Sequence, residues 1–424
     1  MCSLSRWWID GFRLAAGSPD PAAFFAAVRP SGGKIHFPVC IFRLHHRVTM
    51  AEPSLAPVSL LGFTLEALAE LIAQAGQPAF RAGQLAEWVF QRRAPDVASM
   101  SNLPKDLRQS LGERFVTRTM SVATVTGSRD TTRKFLLRLQ DGRYVETVLI
   151  PANPALYGGR SDRRTLCVSS QVGCAYDCKF CASGLAGFTR NLSAAEIVEQ
   201  IVQVEQHSGE RVDNLVFMGM GEPLANFSNV TRAIEILNAP WGIGIGARHM
   251  TVSTSGLAPQ IRKLADFPLQ IRLAISLHGA TDPVRDRIMP VNRKYPLAEL
   301  FAALELWHQK RKQHLTFEYI LIEDVNDDLE QARVLAGRAR ALEAKVNLIP
   351  YNTVEGLPWR RPAVERQEAF RDILLRAGVK ATLRLEKGHD IAAACGQLRL
   401  KQETAEGIIE SPVPERRITI GAGA

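Results

Sequence analysis

The apolar positions change period along the chain. Over roughly residues 60–115 they recur at helical spacing. Leu65, Leu68, Leu71 and Ile72 form one stripe, Phe80, Leu85, Trp88 and Val89 a second, and Gly76 and Pro78 separate them. A third short helix is predicted over residues 104–115. Between Lys134 and Pro151 the period shifts towards two, with Asp141-Gly142 in the middle, which predicts a β-hairpin around a tight turn.

Beyond residue 160 short β-branched runs alternate with amphipathic stretches. The runs cover residues 165–170, 215–218, 250–254, 271–276, 315–320 and 346–349. Six strand-then-helix units predict an α/β fold with a parallel sheet curled into a partial (βα)6 barrel. A small N-terminal helical accessory domain and a β-hairpin connector precede it. The expected divisions are an extension at 1–49, the accessory domain at 50–125, the connector at 126–160, the core at 161–400 and a flexible tail at 401–424, loosely ordered after about 405.

The extension carries Pro-bearing breaks and no secure helix. Asp10, Arg13 and Ser18-Pro19-Asp20-Pro21 interrupt every candidate secretory signal, and a start at Met50 would remove the segment altogether.

Composition narrows the function classes. With 424 residues, 46% hydrophobic and 22% charged, the chain is neither disordered nor fibrous. No eighteen consecutive positions are apolar, so no membrane span is predicted. The net charge of +9 suits a polyanionic partner such as RNA without identifying one. Arg81, Arg92, Arg93, Lys105 and Arg108 give the accessory domain a basic character, read either as an RNA-binding surface or as an ordinary solvated face. Of seven cysteines, four fall between Cys167 and Cys181, a clustering that favours a reducing compartment and a metal or redox site.

In parallel-stranded barrels chemistry sits on the loops after the strands. The first such loop holds Cys174, Cys178 and Cys181 in a C-x3-C-x2-C triplet. Three thiolates there can hold three irons of an iron-sulfur cube and leave the fourth open to a ligand. Zinc is the competing reading and would need Cys167 or Cys395 as a fourth ligand. The second run ends in Met218-Gly219-Met220-Gly221-Glu222-Pro223, the third in Ser253-Thr254-Ser255-Gly256, the fourth in Ser276-Leu277-His278-Gly279 and the sixth in Pro350-Tyr351-Asn352. One Ser or His at a strand end usually satisfies a local hydrogen bond. Several on one rim with a cysteine triplet make a site.

These residues resemble the radical S-adenosylmethionine (radical SAM) superfamily. Thr165 to Cys174, Met218 to Leu224, Ser276-Leu277-His278 and Ala394-Cys395-Gly396-Gln397-Leu398 are together similar to its RNA adenine methyltransferases, in particular the dual-specificity adenine-C2 enzymes of 23S rRNA and tRNA, over roughly residues 60–400. The resemblance implies a cytoplasmic, monomeric enzyme using one 4Fe-4S cluster, two S-adenosylmethionine (SAM) molecules per turnover and an electron donor such as flavodoxin. Its targets would be a peptidyl-transferase-centre adenosine and the adenosine 3′ of the anticodon.

Carried over position by position, Cys174, Cys178 and Cys181 would hold the cluster. Gly221, Glu222, Ser253, Ser276, Leu277, His278 and Asn352 would bind SAM. Cys395 would carry the methyl group, Cys167 would resolve the adduct through a disulfide, and Glu146 would accept a proton. On their own, Cys167 has the alternative reading of a buried strand cysteine and Glu146 that of an ordinary exposed hairpin carboxylate.

The implied chemistry accounts for these residue types. Carbon 2 of adenine is electron-poor and bears a strong C–H bond, so direct methyl displacement fails there. A methyl parked on a thiolate and activated through a 5′-deoxyadenosyl radical can add to the ring. The adduct then needs a base and a second thiol for release.

The target nucleotide must also leave its stack, helped by basic residues on the rim. Arg285, Arg287, Arg293 and Lys294 are candidates, while Lys310-Arg311-Lys312 reads as a solvated helix face. Cys2 and Cys40 have no assigned role, and His389 stands where the resemblance leads one to expect an acidic residue. Two alternatives remain: the sister methylation at carbon 8 of the rRNA adenine, which confers antibiotic resistance, and a zinc-stabilised RNA-binding protein without catalysis.

Overall fold

The computed structural model describes residues 57–128, 131–152, 163–311, 315–354, 356–384 and 396–410. The extension with Cys2 and Cys40, together with His389, Cys395 and Lys312, lies outside them.

The N-terminal part holds helices Leu65–Gln74, Phe80–Ala86 and Lys105–Gly112, the second running on as a wider π-helical turn, Glu87–Gln91. Thr64 caps the first by accepting from the amide of Ala67. Leu68, Leu71, Ile72, Leu85 and Val89 are buried as the helical stripes predict. Phe80 is not part of that core: it is 62% exposed, and the Arg81 guanidinium lies 5.2 Å from its ring centre. Two short strands, β1 (Val58–Ser59) and β2 (Phe115–Val116), pair in parallel and close the unit.

The main sheet begins with β3 (Ser121–Gly127), β4 (Arg133–Arg138) and β5 (Tyr144–Pro151), all antiparallel. The predicted hairpin is β4 and β5, joined by β3, which the sequence pattern did not single out. Strand β5 then pairs antiparallel with β6 (Arg164–Cys167), so the hairpin extends the barrel sheet itself.

The chain after β6 makes a small separate ribbon of β7 (Gln171–Gly173) and β8 (Phe188–Asn191). It then runs through helix Ala194–Ser208 to β9 (Asn214–Phe217), β10 (Met250–Thr254), β11 (Arg272–Ser276), β12 (Leu315–Leu321), β13 (Lys345–Pro350) and β14 (Ala381–Leu383). The order β14-β13-β12-β11-β10-β9-β6-β5-β4-β3 is parallel from β14 to β6, and among the described residues its two edge strands are not paired with each other. The six predicted runs are all present, and β14 adds a seventh parallel strand.

Side-chain alternation explains the layers. Phe317 and Tyr319 of β12 meet Phe301 and Phe370 on helices Leu297–Lys310 and Val364–Arg376, with ring centres 5.8 and 5.3 Å apart. Leu273, Ile275, Val346 and Leu348 are buried on the same side. The opposite face is half-exposed, at the polar Ser276, Thr316 and Asn347 and at Ile320 and Ile349. It is the concave face of a partial barrel, and the candidate site lies along it.

Helix Ala194–Ser208 joins the N-terminal unit to this core. It opens with a reciprocal capping box between Ser193 and Glu196. Its Glu199 carboxylate receives the amides of Thr119 and Met120 at 2.8 Å, and its Glu205 pairs with Arg93. Arg93 is therefore committed to the internal joint instead of an RNA surface. At the other end, helix Gln397–Ala405 crosses the expected start of the flexible tail at 401, and its Glu403 is fully buried. No described helix is long and apolar enough to cross a membrane.

Candidate functional site

The cysteine loop follows β7 at the end of the first parallel strand unit. Backbone bonds from Cys174 to Gly187 and from Lys179 to Ile288, 3.0 and 2.9 Å, fasten it, and the Trp359 indole donates to the Lys179 carbonyl at 2.9 Å. Burial pushes the Cys174 thiol up to about 12 and that of Cys178 well above its usual value, and Cys174, Cys178 and Cys181 lie close enough for their charges to repel. As bare thiols Cys174 and Cys178 would stay protonated at neutral pH, so ionising them calls for a bound cation. Three soft sulfur donors on one fastened loop fit an iron-sulfur group. Among the described residues no three His, Cys, Asp or Glu side chains are grouped about one ion-sized point, and a cube, which takes one thiolate per corner, does not require it.

The glycines after β9 permit close approach. A Cβ on Gly219 would stand 2.6 Å from the Val168 carbonyl oxygen, and one on Gly221, at φ 96°, would stand 2.5 Å from Gln171. Gln171 in turn accepts the Glu222 amide at 2.8 Å. The buried Glu222 carboxylate receives Ser255 N–H at 2.7 Å and Leu224 N–H at 3.0 Å. Burial still raises its pKa, and its charge is felt by Cys174 and Cys178. One carboxylate thus adjoins the cysteine loop with lone pairs remaining for a cationic ligand group.

Ser253 and Ser276 meet hydroxyl to hydroxyl at 3.4 Å across β10 and β11. After Ser276 the chain turns sharply. His278 sits at φ 55°, its Nδ1 accepts from the Ile320 amide at 3.0 Å, and its carbonyl accepts from Asn326 at 2.7 Å. Burial pushes its pKa down to about 3, so the ring is neutral. Its ring packs edge-on against Phe180 of the cysteine loop at 4.9 Å. Asn352 follows β13, and its Oδ1 accepts from Arg361 at 2.7 Å.

Glu146 departs from the exposed-carboxylate alternative: it is 1% exposed. Its Oε2 pairs with the equally buried Lys134 ammonium at 2.9 Å, and its Oε1 receives the Arg399 amide at 2.7 Å. Cys167 lies opposite Val148 in the β5–β6 ladder, which puts it on the same sheet face as Glu146. Gly396, next in sequence to Cys395, has φ 95°, and a Cβ there would stand 2.7 Å from the Ser183 amide, two residues beyond Cys181. Helix Gln397–Ala405 therefore starts against the cysteine loop and reaches Glu146 within one turn.

Sequence reasoning missed Lys134, whose signal was a lone cation at the edge of an apolar strand on the face of Glu146. It also misassigned two arginines. Arg285 is fully buried and donates to the Leu277 carbonyl, the Ser255 carbonyl and Asn292 at 3.0, 2.5 and 2.8 Å, so it braces two of the candidate turns instead of facing RNA. Arg311 is buried as well and donates to carbonyls at the end of helix Ala258–Ala265. Arg287, Arg293 and Lys294 are exposed.

Residues 168–336 match the model of the radical SAM superfamily, and residues 58–116 match the ribosomal RNA large subunit methyltransferase N-terminal domain. A probable dual-specificity RNA methyltransferase RlmN of Akkermansia muciniphila is 55% identical over 340 residues, covering 80% of this chain and 95% of that protein. One from Opitutus terrae, RlmN 3, is 52% identical over 373 residues, covering 86% and 98%. The crystal structure of a radical SAM methyltransferase from Sphaerobacter thermophilus superposes with a TM-score of 0.75 at 43% identity, over 80% of this chain and 99% of that one. With the cysteine loop, the glycine cradle and the parallel sheet all in place, the chain belongs to the RlmN family of radical SAM RNA methyltransferases.

Proposed function

We propose that this enzyme methylates carbon 2 of adenine in 23S rRNA, at the peptidyl-transferase centre, and in tRNA, 3′ of the anticodon. Cys395 is the methyl carrier, Glu146 the base and Cys167 the resolving thiol. Cys174, Cys178 and Cys181 would hold a 4Fe-4S cluster which, when bound, supplies the electron that activates SAM and an open iron for its amino and carboxylate groups. Gly221, Glu222, Ser253, the Ser276-Leu277-His278 turn and Asn352 bind the rest of that molecule.

The protein's own steps follow from the residue types. The Cys395 thiolate takes a methyl group by displacement. Once the activated carbon is joined to the ring as a radical adduct, Glu146 takes the proton from carbon 2 and the odd electron leaves the ring, for which the oxidised cluster, when bound, would be the acceptor. The Cys167 thiolate then attacks the Cys395 sulfur, the S–C bond breaks with its electron pair staying on carbon, and that carbon takes a proton to become the product methyl. A disulfide remains for an external reductant. The reading has the enzyme working in the cytoplasm as a monomer, with a flavodoxin-like donor and two SAM molecules per turnover.

The observation that carries the reading is the seat of helix Gln397–Ala405, with Gly396 against Ser183 of the cysteine loop and Arg399 on Glu146. The chain next to Cys395 thus touches Glu146, and Cys167 lies on the same sheet face as Glu146, which supports these three roles. Mass spectrometry of rRNA and tRNA from cells lacking this chain tests it: loss of 2-methyladenosine from both is expected, and loss of 8-methyladenosine in its place would assign the sister reaction.

A further inference from the structure

Glu318 is used by none of the steps above. It lies in the middle of β12, on the concave face, flanked in register by Ser276 of β11 and Asn347 of β13. It is 5% exposed, while its neighbours on that face, Ser276, Thr316, Ile320 and Asn347, are half-exposed. Asn347 donates to Oε1 at 2.9 Å, and Oε2 has no hydrogen-bond partner. A buried carboxyl oxygen left unpaired bears its full desolvation cost, so a native orphan of this kind asks for an explanation. Burial raises the pKa of Glu318, with Arg384 and the Asn347 bond opposing it.

The surroundings say what would satisfy it. Ser253 and Ser276 already meet hydroxyl to hydroxyl at 3.4 Å, and Glu318 continues that polar row by one strand. A carboxylate beside two hydroxyls suits a ligand offering paired neutral O–H donors, as carboxylates elsewhere take a ribose hydroxyl of a nucleotide. The ammonium and carboxylate of SAM belong at the cysteine loop and Glu222, which leaves the sugar for this row.

We infer that Glu318 is a positioning residue of the SAM site, its Oε2 accepting a hydrogen bond from the ribose diol of the bound molecule. The inference rests on the proposed assignment of Ser253 and Ser276 to SAM. Held at the diol from the sheet wall, the nucleoside cannot rotate about its long axis, which fixes where its 5′ carbon points.

The test is calorimetric titration of full-length protein, reconstituted anaerobically with iron and sulfide, with S-adenosylhomocysteine and its 2′,3′-dideoxy analogue. Wild type is expected to prefer the ribose form by about 10- to 100-fold, the size of a buried hydrogen bond to a charged group. Glu318→Leu abolishes that preference, and Glu318→Gln, which can place an amide donor where the acceptor stood, narrows it. Iron content and the thermal midpoint, measured on each variant, separate loss of the contact from loss of the fold. A Glu318→Leu protein that keeps the wild-type preference overturns the assignment while leaving the SAM site standing. So does a loss confined to RNA affinity. Wild-type protein that binds neither nucleoside would bring down the proposed function and this assignment with it.

Discussion

The main-chain N–H of Arg399 donates to Oε1 of Glu146 at 2.7 Å, joining positions 253 residues apart. The proposed base is thereby in contact with the helix that begins two residues after Cys395. The same carboxylate faces the Lys134 ammonium at 2.9 Å, with both side chains fully buried. Removing the cation strands the anion, at a cost of about 3–5 kcal/mol for a broken buried pair. Lys134→Met is expected to lower stability by that amount in urea unfolding, and Glu146→Gln added to it to restore part of the loss. By itself, Glu146→Gln should slow product release by about a hundred- to ten-thousand-fold, the usual range for a lost general base.

The cysteines should separate by readout. Cys178→Ala loses iron and the visible absorbance of the cluster. Cys395→Ala keeps both and transfers no methyl. Cys167→Ala, with its carrier intact, accumulates protein covalently joined to RNA on a denaturing gel, and free methylated RNA at normal yield from this variant would remove its assigned role.

Gly396 is held at φ 95° against Ser183 with no room for a Cβ. Gly396→Ala combines a left-handed backbone with a clash against main chain, so a loss of more than about 1 kcal/mol is expected. Methyl transfer should fall while iron content does not, because the strain acts on the segment beside the carrier and not on the cluster ligands.

His278 is buried neutral, with its pKa pushed down to about 3 from 6.5. Between those values the unfolded chain binds a proton that the folded one does not. Its contribution to stability is therefore complete above about pH 6.5 and is lost as the pH falls towards 3, with a slope of at most about 1.4 kcal/mol per pH unit. In His278→Asn this part of the acid slope should vanish from urea midpoints measured between pH 4 and 7.

Arg287, Arg293 and Lys294 are the exposed members of the predicted basic rim. Each changed to Ala should weaken RNA binding and reduce its salt dependence by about one phosphate contact. Arg285→Ala should instead unfold the turns at Ser255 and Leu277, visible as a lowered thermal midpoint without RNA.

The parts of the fold legible in the sequence were those with strong local signals. The strands β9 to β13 were marked by β-branched runs, the site turns by glycines and hydroxyls at strand ends, and the cysteine loop by spacing. What was not legible depends on tertiary cover. Glu146 looks like a hairpin surface residue until helix Gln397–Ala405 lies over it, and Arg285 looks like a rim cation until Ser255, Leu277 and Asn292 close around it. Phe80 fits the helical stripe of Leu85 and Val89 by spacing, yet it alone of the three faces solvent. Strand β14 is only three residues long, too short for any period to declare it.

The ladder between β5 and β6 has one last consequence. Glu146 stands two residues from Val148, which is paired with Cys167. The backbone separation of the proposed base and resolving thiol is therefore counted in rungs and does not depend on loop conformation. A slip of one residue would turn Glu146 to the opposite face of the sheet. That spacing changes only by a bulge or by two residues at a time, so the backbone frame of the proposed release step is set by the sheet in whole rungs.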